Sequence, residues 1–302
     1  MRALTADGRP RVLDGGLATE LEARGAALDT PLWSARLLRD DPGMIAAVHR
    51  DYLDAGADIV TTAGYQATVP GLLAAGLSPD EARAVLRRAV SLARDARDAH
   101  PRGGAVKVAA SMGSYGAFLA DGSEFRGGYG RSVGALADFH RARLEVLTDA
   151  GADLLAFETV PCVEEAEAIA RALDETDGPP AWVSFSLGAP GRSAQGDPLD
   201  ACALAALTSP RVIAVGCNCC DPRAVEGALR VLRGCTDVDL LAYPNRGERW
   251  SQASRRWEPD GELPRLAGFA ARYLAAGATV LGGCCRTTPT DIRALAEALA
   301  AQ

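Results

Sequence analysis

The chain has 302 residues, 48% of them hydrophobic and 24% charged, enough apolar content for one large domain with no need of disulfide staples. A formal charge of −7 excludes nucleic acid as the main partner and disfavours anionic membrane, because phosphate recognition needs a basic face that no Lys/Arg run supplies. No apolar run reaches the roughly 18 residues of a membrane span, and the N-terminus lacks a signal-type apolar stretch. Five of the eight cysteines fall in two clusters, unlike a secreted disulfide framework, so a cytoplasmic protein with reduced thiols is expected.

In chain order, β-type runs are expected at 11–14, 58–63, 106–112, 154–159, 182–187, 212–219, 240–245 and 279–284. Helical patterns lie between them at 41–55, 79–100, 131–150, 163–175, 222–233, 264–276 and 289–300. Ser78-Pro-Asp-Glu81 reads as a capping box with Pro at the first helical position, and Asp221-Pro222 as a cap followed by Pro. The phrase Ala-Gly-Ala recurs at 55–57, 150–152 and 276–278, each time between a helix and a strand. Gly56, Gly151 and Gly277 suit the left-handed residue that ends a helix. Eight alternating units in this length predict a closed (β/α)8 TIM barrel, one domain over residues 1–302. An open doubly wound sheet is disfavoured, since neither a G-x-G-x-x-G fingerprint nor a P-loop is present.

In such a barrel the loops after the strands build the active face, and here every strand ends in polar or reactive residues. Cys284-Cys285 follows the last strand after Gly282-Gly283. Cys217, Cys219 and Cys220 end the sixth. The two clusters stand on one rim with a single strand between them, close enough to share a metal ion. Thiolates suit zinc, and three ligands with an open fourth position make a catalytic site, whereas four make a structural one. On a regular strand Cys217 shares the face of Cys219, deeper in the barrel. The three histidines lie in helical stretches without ligand spacing. A zinc hydrolase is the alternative enzyme class, weakened because thiolate ligands make zinc a poor Lewis acid and no His ligand accompanies them.

The motifs Leu13-Asp-Gly-Gly16, Thr61-Thr-Ala-Gly-Tyr-Gln-Ala-Thr68, Gly116-Ala-Phe-Leu-Ala-Asp-Gly-Ser-Glu-Phe-Arg-Gly127, Phe157-Glu-Thr159, Gly216-Cys-Asn-Cys219, Ala242-Tyr-Pro-Asn245 and Gly282-Gly-Cys-Cys-Arg-Thr-Thr-Pro289 run from about Val12 to Leu299. Through them the chain resembles the homocysteine S-methyltransferases. The resemblance implies Zn2+ held by Cys219, Cys284 and Cys285 at the C-terminal rim, with the homocysteine thiolate filling the open position. The resemblance also implies that this thiolate attacks a sulfonium methyl group directly, so that methionine forms. It further implies that Asp14 and Glu158 are the catalytic acidic pair holding the amino group of homocysteine, with Thr159 and Asn218 also binding substrate. Trp33, Tyr65, Gln66, Tyr115 and Tyr243 are candidates for the donor side, where aromatic faces favour a sulfonium cation. The 116–127 loop and the Arg-Thr-Thr-Pro ending resemble the branch that uses S-methylmethionine or S-adenosylmethionine more than the betaine branch. Another thiol or a selenol such as selenocysteine is the alternative acceptor. The choice of donor, the oligomeric state and any part of Cys217 or Cys220 in ligation stay open at the level of sequence.

Overall fold

Eight short parallel strands form a ring in the computed structural model, which describes residues 4, 5, 7–28, 33–251, 256–258 and 265–301. They are β1 (Arg11–Val12), β2 (Ile59–Thr61), β3 (Lys107–Gly113), β4 (Leu154–Val160), β5 (Ala181–Phe185), β6 (Val212–Asn218), β7 (Asp239–Tyr243) and, after an antiparallel hairpin of β8 (Arg249–Ser251) with β9 (Arg256–Glu258), β10 (Val280–Leu281). Neighbours pair in the order β1-β10-β7-β6-β5-β4-β3-β2. The ring closes through a parallel bridge between Leu13 and Ile59, with Asp14 N donating to Ile59 O at 3.1 Å and Asp58 N to Val12 O at 2.8 Å. This is the expected (β/α)8 barrel.

Local chemistry starts the helices where the sequence places them. Ser78 and Glu81 form a reciprocal capping box ahead of the helix Pro79–Asp98, and Thr288 and Asp291 do the same for Pro289–Ala300. Asp221 accepts from Arg223 N at the start of Pro222–Cys235. The three Ala-Gly-Ala turns adopt φ values of 108° at Gly56, 83° at Gly151 and 100° at Gly277. A residue with a Cβ would cost about 1–2 kcal/mol at each.

Two expectations need correction. Sequence reading leaves no helix between β5 and β6, yet Leu199–Ala206 is one. Its eight residues are almost all apolar, so no amphipathic period marks it, and its place comes from packing between Val163–Asp174 and Pro222–Cys235. The pattern at 264–276 becomes a 3-10 turn, Leu266–Phe269, running into a short helix, Ala270–Ala275, while residue 264 lies outside the described residues.

Apolar side chains form two layers. The bore holds Leu13, Ile59, Leu154, Trp182, Leu241 and Val280, and alternating strand residues such as Val60, Val108, Phe157, Val183 and Val215 face the helices. Trp182 is fully buried there, and cutting it back to Ala would cost about 3–5 kcal/mol. The N-terminal end of the bore is closed by Asp239, whose carboxylate accepts from Leu4 N at 2.7 Å, Thr5 Oγ1 at 2.6 Å and Thr279 Oγ1 at 2.8 Å. Access is left to the opposite rim.

His49, inside the helix Pro42–Asp54, is fully buried, and among the described residues no partner meets either ring nitrogen. Burial lowers its pKa from 6.5 to about 4. The unfolded chain therefore binds this proton at a higher pH than the folded one. Stability should fall as pH drops from 6.5 towards 4, by up to about 1.4 kcal/mol per pH unit from this one group. Urea midpoints measured across that window are expected to fall less steeply for His49→Leu than for the wild type; parallel curves would refute the assignment.

Candidate active site

Glycines let the last strand turn into its thiols. A Cβ on Gly282 would lie 2.6 Å from Leu13 Cβ and 2.8 Å from Leu13 O, and one on Gly283 would run into the Thr287 side chain. The turn is then pinned: Cys284 N donates to Pro244 O at 2.8 Å, Arg246 N to Cys285 O at 3.1 Å, and Thr287 Oγ1 to Cys284 O at 2.6 Å.

Cys219 reaches the same place by breaking the strand. Along β6, Val215 and Cys217 face the helices, and continued alternation would send Cys219 the same way. Instead Cys219 takes φ 51°, with its N–H bonded to Tyr243 O at 3.1 Å. Its Sγ comes to 3.8 Å from Cys285 Sγ, and the sulfurs of Cys219, Cys284 and Cys285 all lie within 4.8 Å of one another. The expectation that Cys217 shares the face of Cys219 is thereby corrected. Cys217 sits in the core between strand and helices, and its thiol partner is Cys220. Thr159 and Arg286, at φ 59° and 70°, are also left-handed on this rim, a strain of about 1–3 kcal/mol each.

The trio can hold a metal ion. Four ligands at about 2.3 Å from zinc in a tetrahedron place sulfurs about 3.8 Å apart, the spacing of Cys219 and Cys285. Hydrogen bonds to Cys284 and Cys285 push the Cys219 thiol well up, whereas Cys285, accepting from Cys219 and Cys284, is pushed well down. Three thiolates this close repel one another, and a cation relieves that repulsion.

Two buried carboxylates face the thiols. Asp14 accepts from Thr61 N at 2.7 Å and from Thr61 Oγ1 at 3.0 Å, yet burial still raises its pKa well above the usual range, with Glu158 and Cys284 adding to the rise. Glu158 accepts from Ser111 Oγ, and burial, with Cys284 adding, pushes it up to about 8. Beneath them Thr159 and Asn218 are bonded reciprocally, Thr159 N to Asn218 Oδ1 and Asn218 Nδ2 to Thr159 Oγ1, both at 2.9 Å. Ser184 Oγ donates to Asn218 Oδ1 at 3.0 Å, which ties β5 into the same clamp.

The other predicted residues part company. Tyr65 is hydrogen-bonded to Thr159, and burial raises its pKa well above the usual range, with the charges of Glu124 and Cys219 adding to the rise. Tyr243 is buried in the bore, where its hydroxyl meets Trp182 Nε1 at 3.1 Å, the Ser184 hydroxyl and the Glu158 carboxylate, so it forms the floor of the site. Gln66 Nε2 donates to Ala117 O and ties one loop to the next. Tyr115 packs edge-on against Tyr129 and Phe139 and accepts from Arg131 at 3.1 Å. Trp33 opens a 3-10 turn, and its side chain lies outside the described residues.

Sequence reasoning passed over Ser111 and Glu124. Glu124 lies on the 3-10 turn Ser123–Phe125, held over the end of β5 by Ser186 Oγ, which donates to Glu124 O at 2.6 Å. Its signal was an acid in the middle of a glycine-bounded loop after a strand. A buried relay anchors that loop: Arg143 Nη2 donates to Gly113 O at 2.7 Å, His140 sits 3.0 Å from Arg143 and 2.9 Å from Glu165, and Glu165 accepts from Tyr115 N at 2.5 Å.

The family model described as homocysteine S-methyltransferase matches residues 11–299. The homocysteine S-methyltransferase of Escherichia coli (strain K12) is 47% identical over 301 residues, which is 98% of this chain and 97% of that protein. A selenocysteine Se-methyltransferase from Brassica oleracea var. italica is 43% identical, covering 95% of this chain and 88% of that one. The crystal structure of the homocysteine methyltransferase MmuM from Escherichia coli in its metallated form superposes with a TM-score of 0.88 at 44% identity, covering 98% of each chain. A barrel with a three-thiol rim and full-length likeness of this kind place the chain in the homocysteine S-methyltransferase family, as a methyltransferase.

Proposed function

We propose that this chain, as a single barrel domain over residues 1–302, transfers a methyl group from a sulfonium donor, S-methylmethionine or S-adenosylmethionine, to homocysteine, giving methionine. The observation that carries the reading is the convergence of Cys219, Cys284 and Cys285 on one rim beside the buried carboxylates of Asp14 and Glu158. Zinc held by those three cysteines would take the acceptor thiol as its fourth ligand and keep it deprotonated near neutral pH.

The remaining chemistry belongs to the chain. Asp14 and Glu158, raised by burial, gain from a cation between them, and the α-ammonium of homocysteine supplies one. Thr61 and Ser111 orient the two carboxylates, so the ammonium aims the acceptor sulfur at the thiols. Tyr243 and Trp182 close the floor and keep water from entering through the bore. Tyr65 offers an aromatic surface beside Cys219 for the donor cation. In the transfer a new carbon–sulfur bond forms as the donor's breaks, and the sulfonium leaves as a neutral thioether. Holding the two sulfurs in line can contribute about 7–11 kcal/mol. The likeness to a selenocysteine Se-methyltransferase favours a second acceptor, a selenol in the same position.

Three outcomes test this. Cys284→Ala should lower bound zinc from about one per chain to near zero by elemental analysis and abolish methyl transfer; full activity without metal would sink the reading. Glu158→Gln should raise the KM for homocysteine about ten- to a hundredfold and leave the donor KM nearly unchanged, as expected for one charge-assisted bond. In parallel assays S-methylmethionine and S-adenosylmethionine should donate and betaine should not, with homocysteine and selenocysteine compared as acceptors.

A further inference from the structure

One oxygen of Glu124, Oε2, is a buried acceptor without a hydrogen-bond donor among the described residues. The side chain as a whole is half-buried, but its Oε2 is shielded from solvent, and among the described residues nothing hydrogen-bonds to it. The turn that carries it is held firmly. Gly116 packs so closely that a Cβ there would strike Glu124 N, Gly127 N donates to Ser123 O at 2.7 Å, and Ser186 holds Glu124 O. The nearby cation is otherwise engaged, since Arg126 turns to Asp121, with Nη1 3.0 Å from the Asp121 carbonyl and Nη2 3.6 Å from its carboxylate. Burial pushes the Glu124 carboxyl up to about 7, with the Asp121 charge adding to the rise and its own backbone N–H and Arg126 acting against it.

Its position separates it from the acids that face Cys284. Asp14 follows β1 and Glu158 lies in β4, whereas Glu124 is held over the end of β5, where its charge is felt by Tyr65, the hydrogen-bond partner of Thr159. The rim thus carries acids after β1 and in β4, and a further acid, Glu124, over the end of β5. Resting on the transfer reaction proposed above, we infer that Glu124 binds the α-ammonium of the methyl donor and so selects amino-acid sulfonium donors. A sulfonium carries charge but no N–H, and neither does a quaternary trimethylammonium, so neither can donate a hydrogen bond to the carboxylate. An α-ammonium has three donors.

The test is steady-state kinetics of the metal-loaded enzyme with S-methylmethionine and with its des-amino analogue, which keeps the sulfonium and the carboxylate but lacks the amine. Glu124→Gln should raise the KM for S-methylmethionine about ten- to a hundredfold while the homocysteine KM stays within about twofold, and Glu124→Asp should recover part of the loss. With the des-amino donor, wild type and Glu124→Gln should differ by less than about threefold. An unchanged KM for S-methylmethionine in Glu124→Gln, or an equal loss with both donors, would overturn the inference while leaving the transfer reaction intact. No transfer by the wild type from either sulfonium would remove the reaction itself, and the inference with it.

Discussion

The seam between β1 and β2 is where the ring closes, and side-chain carboxylates do much of the closing. β1 spans only two residues, and its ladder to β2 is a single bridge. Asp58 Oδ2 accepts from Val12 N at 3.0 Å and Asp14 Oδ2 from Thr61 N at 2.7 Å, so two aspartates stand in for strand carbonyls that the short ladder lacks. Position in the active site follows from this seam. Gly283 N donates to Asp14 O at 3.0 Å, so the turn bearing Cys284 and Cys285 is registered against the same residue that faces the thiols. Asp14 is at once a strand-closing acceptor and a buried carboxylate on the thiol-bearing rim.

From that seam round to β6, the rim gathers groups that are costly to bury without cations. Three thiols lie together, and none of the carboxylates of Asp14, Glu158 and Glu124 is paired with Arg or Lys among the described residues. Strain is concentrated here too, at Thr159, Cys219 and Arg286. A rigid framework has to hold such an arrangement, and the Thr159–Asn218 clamp, the Tyr243 floor and the buried Arg143–His140–Glu165 relay provide it. A rim so furnished favours positive charge.

Much of the fold was legible because its signals are local. Eight apolar runs, the Ala-Gly-Ala turns and the caps at Ser78 and Asp221 each depend on a few neighbouring residues, and the structure has an element at each. The helix Leu199–Ala206 was not legible, because packing rather than periodicity defines it. The donor-side residues were harder still. Gln66 and Tyr115 have the chemistry of ligand contacts; in the structure Gln66 Nε2 meets a loop carbonyl and the Tyr115 ring an aromatic cluster.

By itself the sequence determined the alternation of strands and helices, and the placing of thiols and carboxylates after strands, since hydrophobic period and turn chemistry are short-range properties. Which of those groups meet was decided only in three dimensions. Strand alternation would have put Cys219 beside Cys217, facing the helices, and one left-handed residue sends it across the rim to Cys285 instead. Likewise nothing local marks Glu124 as an acceptor without a donor. That depends on Ser186, brought against its turn from a distant part of the chain by the fold.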